Sequence, residues 1–234
     1  MPSEAFTLSK LKVHKLNNDG SLRIALIHNP DQDTLVKFIS STTVLLPIES
    51  KVKERKLESE NLIKESSLNW TILRPTMIYG TPDDPNFSKM INFIKKRGFF
   101  VVFGDGQNLI QPIYIEDVAE AIVSILENPR TYKKVYEICG KEPIKYIDML
   151  KIVKNKIAEK MGRRFRIIHL PISFGKFLIS IYNKFSRTPI LTPDQIERMR
   201  IDKAYSYDEA FRDFGFSPKT FEYGIERLIE KMNL

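Results

Sequence analysis

Four consecutive hydroxyl-bearing residues, Ser40-Ser41-Thr42-Thr43, follow directly on the apolar stretch Val36-Lys37-Phe38-Ile39. Hydroxyls there can serve a ligand oxygen or close the chain on itself through local hydrogen bonds. Lys56 stands further on, offering a cation to an anionic group or remaining solvated among Lys51, Lys53, Arg55 and Lys64. Arg74-Pro75-Thr76-Met77-Ile78-Tyr79-Gly80 brings a guanidinium, for a phosphate or a buried carboxylate. Gly104-Asp105-Gly106-Gln107, with Gln111 behind it, has the glycines of a tight turn. Other chemistries find no residues. His14, His28 and His169 are scattered and lack metal-ligand spacing with Cys139, so no metal site is expected. No Ser/His/Asp motif or Gly-x-Ser-x-Gly elbow is present. Cys139, in an apolar stretch, reads as an inert core thiol.

These residues need elements to hold them. Val36 to Ile39 reads as a strand, Glu49 to Ser66 as a helix with Val52, Leu57, Leu62 and Ile63 among charges, and Trp70 to Leu73 as a second strand closed by Pro75. In an open parallel sheet, ligands bind outside the carboxyl ends of the strands. The hydroxyl cluster and the turn after Arg74 both fall at that rim. Downstream, the pattern predicts a helix over 87–97 stopped at Gly98, strands over 99–103 and 135–139, and an extended piece over 112–115. Asp117 is placed as N-cap of a helix over 118–127. A basic helix over 147–161, a strand over 165–170, and helices over 171–185, 193–200, 207–211 and 221–232 complete the chain. The fold class is α/β: a partial Rossmann-like parallel sheet, residues 1–140, and a small mixed α/β substrate-type domain, residues 141–234.

The strand, the Ser-Ser-Thr, the lysine-bearing helix and Leu73-Arg74-Pro75-Thr76-Met77-Ile78-Tyr79-Gly80 together resemble the NAD-dependent epimerase/dehydratase branch of the extended or atypical short-chain dehydrogenase/reductase superfamily. Phe103-Gly104-Asp105-Gly106-Gln107 and Gln111-Pro112-Ile113-Tyr114-Ile115-Glu116-Asp117-Val118-Ala119 carry the likeness on. The resemblance implies a bound NAD or NADP and a nucleotide-sugar or similar small-molecule substrate. It places Thr42 and Lys56 at catalytic positions. Ser40, Ser41, Lys56, Pro75, Thr76 and Met77 become candidates for cofactor contact, and Tyr79, Gly104, Gln107 and Gln111 for substrate contact. The family's tyrosine stands four residues before the lysine, so that both lie on one helix face. Here that position is Val52, and no tyrosine occurs among residues 1–78. Valine has no proton to exchange, so the ordinary acid–base step is absent from this helix. Two readings follow: an epimerase/dehydratase-like oxidoreductase, or a catalytically inactive relative serving as a binding or assembly module.

The family's opening Gly-rich turn, which lets amides approach a pyrophosphate, has no counterpart: residues 1–35 hold Gly20 alone. The chain reads as a family member lacking the first half of the nucleotide-binding domain, with Ser21 to His28 the remnant of a helix. Such a sheet would expose the edge of the strand near Val36. A homodimer, a partner chain or residues 1–30 are expected to cover it. Composition, 42% hydrophobic and 28% charged, is that of a globular protein. No apolar run approaches the ~20 residues that span a bilayer. The lone cysteine suits a reducing, cytoplasmic compartment. A net charge of +8 comes mostly from basic residues interleaved with acids and lacks nucleic-acid-binding motifs, so no nucleic-acid partner is expected.

Overall fold

The computed structural model describes residues 12–15, 24–28, 35–162, 164–175 and 201–233. In chain order the first elements are β1 (Lys12–Lys15), β2 (Ile24–His28), β3 (Leu35–Ile39), a 3-10 turn (Thr42–Leu45), α1 (Lys51–Glu65) and β4 (Asn69–Pro75). β5 (Ile78–Tyr79), α2 (Phe87–Arg97), β6 (Phe99–Phe103), β7 (Leu109–Ile110), β8 (Ile113–Tyr114) and α3 (Ile115–Ile125) follow. The remainder is β9 (Lys134–Ile138), β10 (Ile144–Lys145), α4 (Tyr146–Met161), β11 (Arg166–Leu170), α5 (Asp208–Phe214) and α6 (Phe221–Lys231). The helix expected over 193–200, and that over 171–185 from residue 176 onward, lie outside the described residues.

The chain divides into two units: residues 1–76, 117–139 and 206–217 form one, and residues 77–116, 140–205 and 218–234 the other. It therefore passes between them five times, and the position near 140 is one of those passages.

The first unit is built on a five-stranded sheet of order β1-β2-β3-β4-β9. β3, β4 and β9 run parallel, with Val36 opposite Trp70 and Ile72 opposite Val135. This is the expected α/β, Rossmann-like arrangement. Phe38, Trp70 and Ile72 bury one face of the sheet, with Ile63 of α1 packed against them. Ser50 starts α1 by accepting the Lys53 amide at 3.2 Å, as an N-cap hydroxyl does.

The stretch around Ser21 to His28 is a correction. Residues 24–28 form a strand, β2, rather than the remnant of a helix, and pair antiparallel with β3. A short, mostly apolar run without helical periodicity gains more from a ladder than from an isolated turn. β2 thus lies on the edge of β3, and β1 lies on β2.

The second unit is a helical core with short strand pairs. Phe87, Met90, Ile91 and Ile94 of α2, Leu150, Val153 and Ile157 of α4, and Ile225, Leu228 and Ile229 of α6 share one apolar cluster. Each set repeats at three- and four-residue spacing, the stripe of an amphipathic helix. Asp84 starts α2, its carboxylate accepting the amides of Asn86, Phe87 and Ser88. Gly98 ends it in the left-handed conformation at φ 74°. α3 differs from expectation at its start: it begins at Ile115, directly from β8, so Asp117 is a buried residue of the first turn and not the N-cap.

Candidate functional site

In the first unit the parallel strands end together. The Ser40 amide donates to Leu73 O at 2.8 Å, carrying the β3–β4 ladder one residue past β3. The chain then folds back through the 3-10 turn, capped by Ser41, whose Oγ accepts the Thr43 amide at 3.2 Å and lies 2.9 Å from Thr43 Oγ1. Thr42 Oγ1 reaches the Pro75 carbonyl at 3.4 Å, a long contact that joins the end of β3 to the end of β4. Beside it, the Thr76 amide donates to Ile138 O at 3.0 Å, at the end of β9. Ser40, Thr42, Pro75 and Thr76 are therefore brought together at one rim, as the strand pattern predicts.

α1 contributes Lys56 and Glu60, both buried and one turn apart. Arg74, from β4, closes on Glu60 with two donors, Nε at 3.0 Å and Nη2 at 2.6 Å, and Glu137 of β9 stands 3.6 Å from its Nη1. Of the two roles open to Arg74, the structure shows the buried carboxylate pair. Burial pushes the Glu60 carboxyl up, but the Arg74 guanidinium, the Ser40 hydroxyl and Lys64 outweigh it and hold the group below the usual range. Ser40 Oγ lies near enough to act on that carboxylate yet makes no hydrogen bond of ordinary geometry. Val52, one turn before Lys56, is 48% exposed. The position one turn before the lysine therefore carries no acid–base group.

The remaining candidates belong to the second unit. Met77 is partly exposed, and its carbonyl accepts the Ile113 amide at 3.0 Å. Tyr79 lies in the core, its ring against Phe87, Tyr114 and Phe221 and its hydroxyl donating to Phe221 O at 3.3 Å. Gln111 is buried with both ends of its amide engaged: Nε2 donates to Gly140 O at 2.7 Å, and Oε1 accepts the Tyr205 amide at 2.8 Å. Gly104 takes φ 85° in the turn after β6, and the exposed Gln107 donates its amide to Asp105 Oδ1 at 3.1 Å.

Two clusters escape a reading of the sequence. Lys231 donates to Tyr114 Oη at 3.0 Å and to Glu116 Oε1 at 2.9 Å from 115 or more residues away, and the Tyr114 hydroxyl donates to the same Glu116 oxygen at 2.9 Å. Burial, with the Glu116 carboxylate, raises the Tyr114 phenol against the pull of Lys231, so this tyrosine–lysine contact is not poised to exchange a proton at neutral pH. Lys37 is buried within β3, donating to Thr71 Oγ1 at 2.8 Å, and Thr71 in turn bonds Thr131. The only sequence signal for it was a lysine interrupting an apolar strand. Cys139 is buried and its thiol is pushed up to about 12 by burial, with Glu137 and Asp208 adding to it, as an inert core thiol requires. Among the described residues no group of three or more His, Cys, Asp or Glu side chains could hold a metal.

Parallel strands ending in a hydroxyl-bearing rim, with a buried lysine on the intervening helix, are the arrangement of a Rossmann-like α/β protein. The sequence model of the NAD dependent epimerase/dehydratase family matches residues 53–139. Over that stretch the chain is similar to the family, and curated short-chain dehydrogenase/reductase relatives share the likeness.

Among curated relatives, NADH dehydrogenase (ubiquinone) 1 alpha subcomplex subunit 9, mitochondrial, of Dictyostelium discoideum is 27% identical over 197 residues, covering 82% of this chain and 51% of the relative. Short-chain dehydrogenase/reductase family 42E member 1 of Danio rerio is 22% identical over 224 residues, covering 88% and 54%. The chain thus spans about half the length of the curated relatives it matches. The fold is shared with UDP-glucuronic acid 4-epimerase from Bacillus cereus in complex with NAD, at TM-score 0.62 and 20% identity over 84% of this chain and 60% of that one. It is shared too with RMD from Pseudomonas aeruginosa complexed with NADPH, at TM-score 0.60 and 15% identity over 86% and 66%.

The residues present fit such a cofactor at one end only. Were such a cofactor held, Thr42, Pro75 and Thr76 at the rim, with Lys56 on α1, are the residues that would meet its nicotinamide and ribose. The pyrophosphate finds no cradle among the described residues: the glycines at positive φ are Gly80, Gly98, Gly104, Gly106, Gly162 and Gly215, and none follows β3, β4 or β9.

Proposed function

We propose that this chain is a non-catalytic member of its family, keeping the dinucleotide-binding fold as a module of a larger protein assembly. The carrying observation is Val52, a side chain with no proton to give, where the family's acid–base tyrosine would stand above Lys56. The rest of the rim agrees. Ser41 is used as a cap, Thr42 bonds the neighbouring strand end, and Arg74 is committed to Glu60. Relatives named as NADH dehydrogenase subunits in Dictyostelium discoideum and Arabidopsis thaliana supply a precedent for assembly. The compartment proposed is accordingly that of the assembly, mitochondrial in those relatives' names, rather than the cytoplasm that a lone cysteine suggests. NAD or NADP is proposed as the ligand of the rim, held at its nicotinamide end without hydride transfer.

The test is native electrophoresis of an epitope-tagged chain from its own cells, beside turnover assays on the purified protein. Migration in a large complex, with no change in NAD(P)H absorbance, is expected. Migration at monomer size together with turnover would overturn the reading. A second reading, action on a nucleotide-sugar, draws on the UDP-glucuronic acid-bound neighbour and on the Gly104–Gln107 turn. Saturable heat on titrating UDP-glucuronic acid would favour it.

A further inference from the structure

In the second unit β6 and β11 form a parallel pair that brings together two acid-free segments. No Asp or Glu occurs between Asp84 and Asp105, nor between Glu159 and Asp194. The register sets Phe99 beside Arg166, Val101 beside Ile168 and Phe103 beside Leu170. Phe100, Val102 and Ile167 turn toward the core cluster. Alternation then turns Phe99, Val101, Phe103, Ile168 and Leu170 the other way. None of these five is fully buried. Phe93 of α2 extends the patch, its ring edge-on to Phe99 at 5.7 Å. Phe93, Ile168 and Phe174 are 41%, 40% and 47% exposed.

A basic cluster adjoins these apolar side chains. Lys95, Lys96 and Arg97 close α2, and the Arg166 amide donates to Gly98 O at 3.1 Å, placing Arg164 and Arg166 next to that helix end. None of these five cations has an ion pair with a described residue.

The geometry points to a docking surface for an anionic lipid bilayer, formed by α2, β6 and β11. Aromatic and aliphatic side chains that settle at the headgroup boundary, with a cluster of lysines and arginines beside them, are what an interfacial membrane contact uses. Long basic side chains also place their charge at headgroup level while their stems lie along apolar surface. A second copy of this chain pairing patch to patch would meet it with like charge. Single-stranded nucleic acid is held by aromatic platforms on which bases stack, whereas Ile168, Val101 and Leu170 give no such platform. Among the described residues no helix is long and apolar enough to cross a membrane. The inference is independent of whether a dinucleotide binds the other unit.

The test is sedimentation of the purified full chain with vesicles of phosphatidylcholine alone, or of phosphatidylcholine with phosphatidylglycerol. Partitioning to the anionic vesicles is expected, weakening as salt is raised. Phe93→Ser with Ile168→Ser and Phe174→Ser should reduce it by more than about tenfold, and so should Lys95→Glu with Lys96→Glu and Arg97→Glu. Both variants change surface side chains, and their circular dichroism melts should follow the parent. No sedimentation with anionic vesicles overturns the inference, as does undiminished binding by the charge-reversed variant. Single-stranded RNA bound more tightly than the vesicles, and lost only on charge reversal, would overturn it in favour of a nucleic-acid surface.

Discussion

Lys37 and Glu60 are both charged groups held inside the first unit, and they behave oppositely because only one has a counter-ion. Lys37 is 1% exposed, with the Thr71 hydroxyl and the Tyr132 ring beside its ammonium. Burial lowers its pKa to about 8, below the ~10.4 of an unfolded lysine. Below pH 8 the folded state carries the whole burial penalty. As pH rises from 8 toward ~10.4 the folded lysine loses its proton first, the unfolded chain binds more protons, and stability increases. Subtracting the unfolding curve of Lys37→Met from the parent isolates this gain, expected on the order of 1–3 kcal/mol across that window by denaturant melts. A flat difference would refute it. Glu60, held below the usual carboxylate range, stabilises above its unfolded pKa, and that contribution is lost as pH falls through its lower folded value. Arg74→Ala leaves this carboxylate with Lys64 at 3.3 Å as its one remaining cation, and a loss of about 3 kcal/mol is expected, measurable in the same melts at pH 7. Much of this rim was legible as residue types: hydroxyls at a strand end, a lysine on the next helix, an arginine before a proline. What each side chain bonds was not. Pairing Glu60 with Arg74 takes the crossing of α1 over β4, and local spacing does not encode it.

Element boundaries were readable where chemistry stops a helix or strand locally. Gly98 and Gly162 end α2 and α4 because a left-handed residue acts within one turn, whereas the helix read from Glu49 starts only after the Ser50 cap. Boundaries set from a distance were missed. α3 starts at Ile115 because β8 delivers the chain already in place, and β2 is a strand because β3 offers it a ladder. Glycines separate the two kinds of constraint. At Gly98 a Cβ would meet nothing within 4 Å, so Gly98→Ala costs only the left-handed backbone, about 1 kcal/mol. At Gly140 φ is ordinary, but a Cβ would stand against the Pro112 carbonyl oxygen, beside the bond from Gln111 to Gly140 O. Gly140→Ala must move backbone, and about 3 kcal/mol is expected. Equal midpoint shifts for the two variants in urea would mean that the strand following Gln111 gives way freely.

At the scale of the whole molecule, the five-stranded sheet is parallel where it resembles the epimerase/dehydratase family and antiparallel where β2 joins β3. A parallel sheet flanked by its usual neighbours has no free donors at β3. Here β2 occupies that edge from Ala25 opposite Phe38 to His28 opposite Leu35, and β1 follows it from Lys12 opposite Ile27 to Lys15 opposite Ile24. Of the three coverings expected from the sequence, the structure shows the chain's own early residues. Removing residues 1–34 would leave the β3 edge unpaired, a row of amides and carbonyls ready to template another strand. Apolar Val36 and Phe38, which face the core cluster, would sit at that edge. The shortened protein is expected to self-associate in a concentration-dependent way, seen as a rising mass by light scattering while the full chain keeps a constant one. A charge placed on the edge should suppress it, and Leu35→Lys is suited because Leu35 is only half-buried. If the shortened chain stays monomeric with its melting midpoint unchanged, the hairpin contributes nothing to the sheet. If it associates and Leu35→Lys reverses this, the antiparallel pair is what keeps this α/β unit from joining sheets edge to edge.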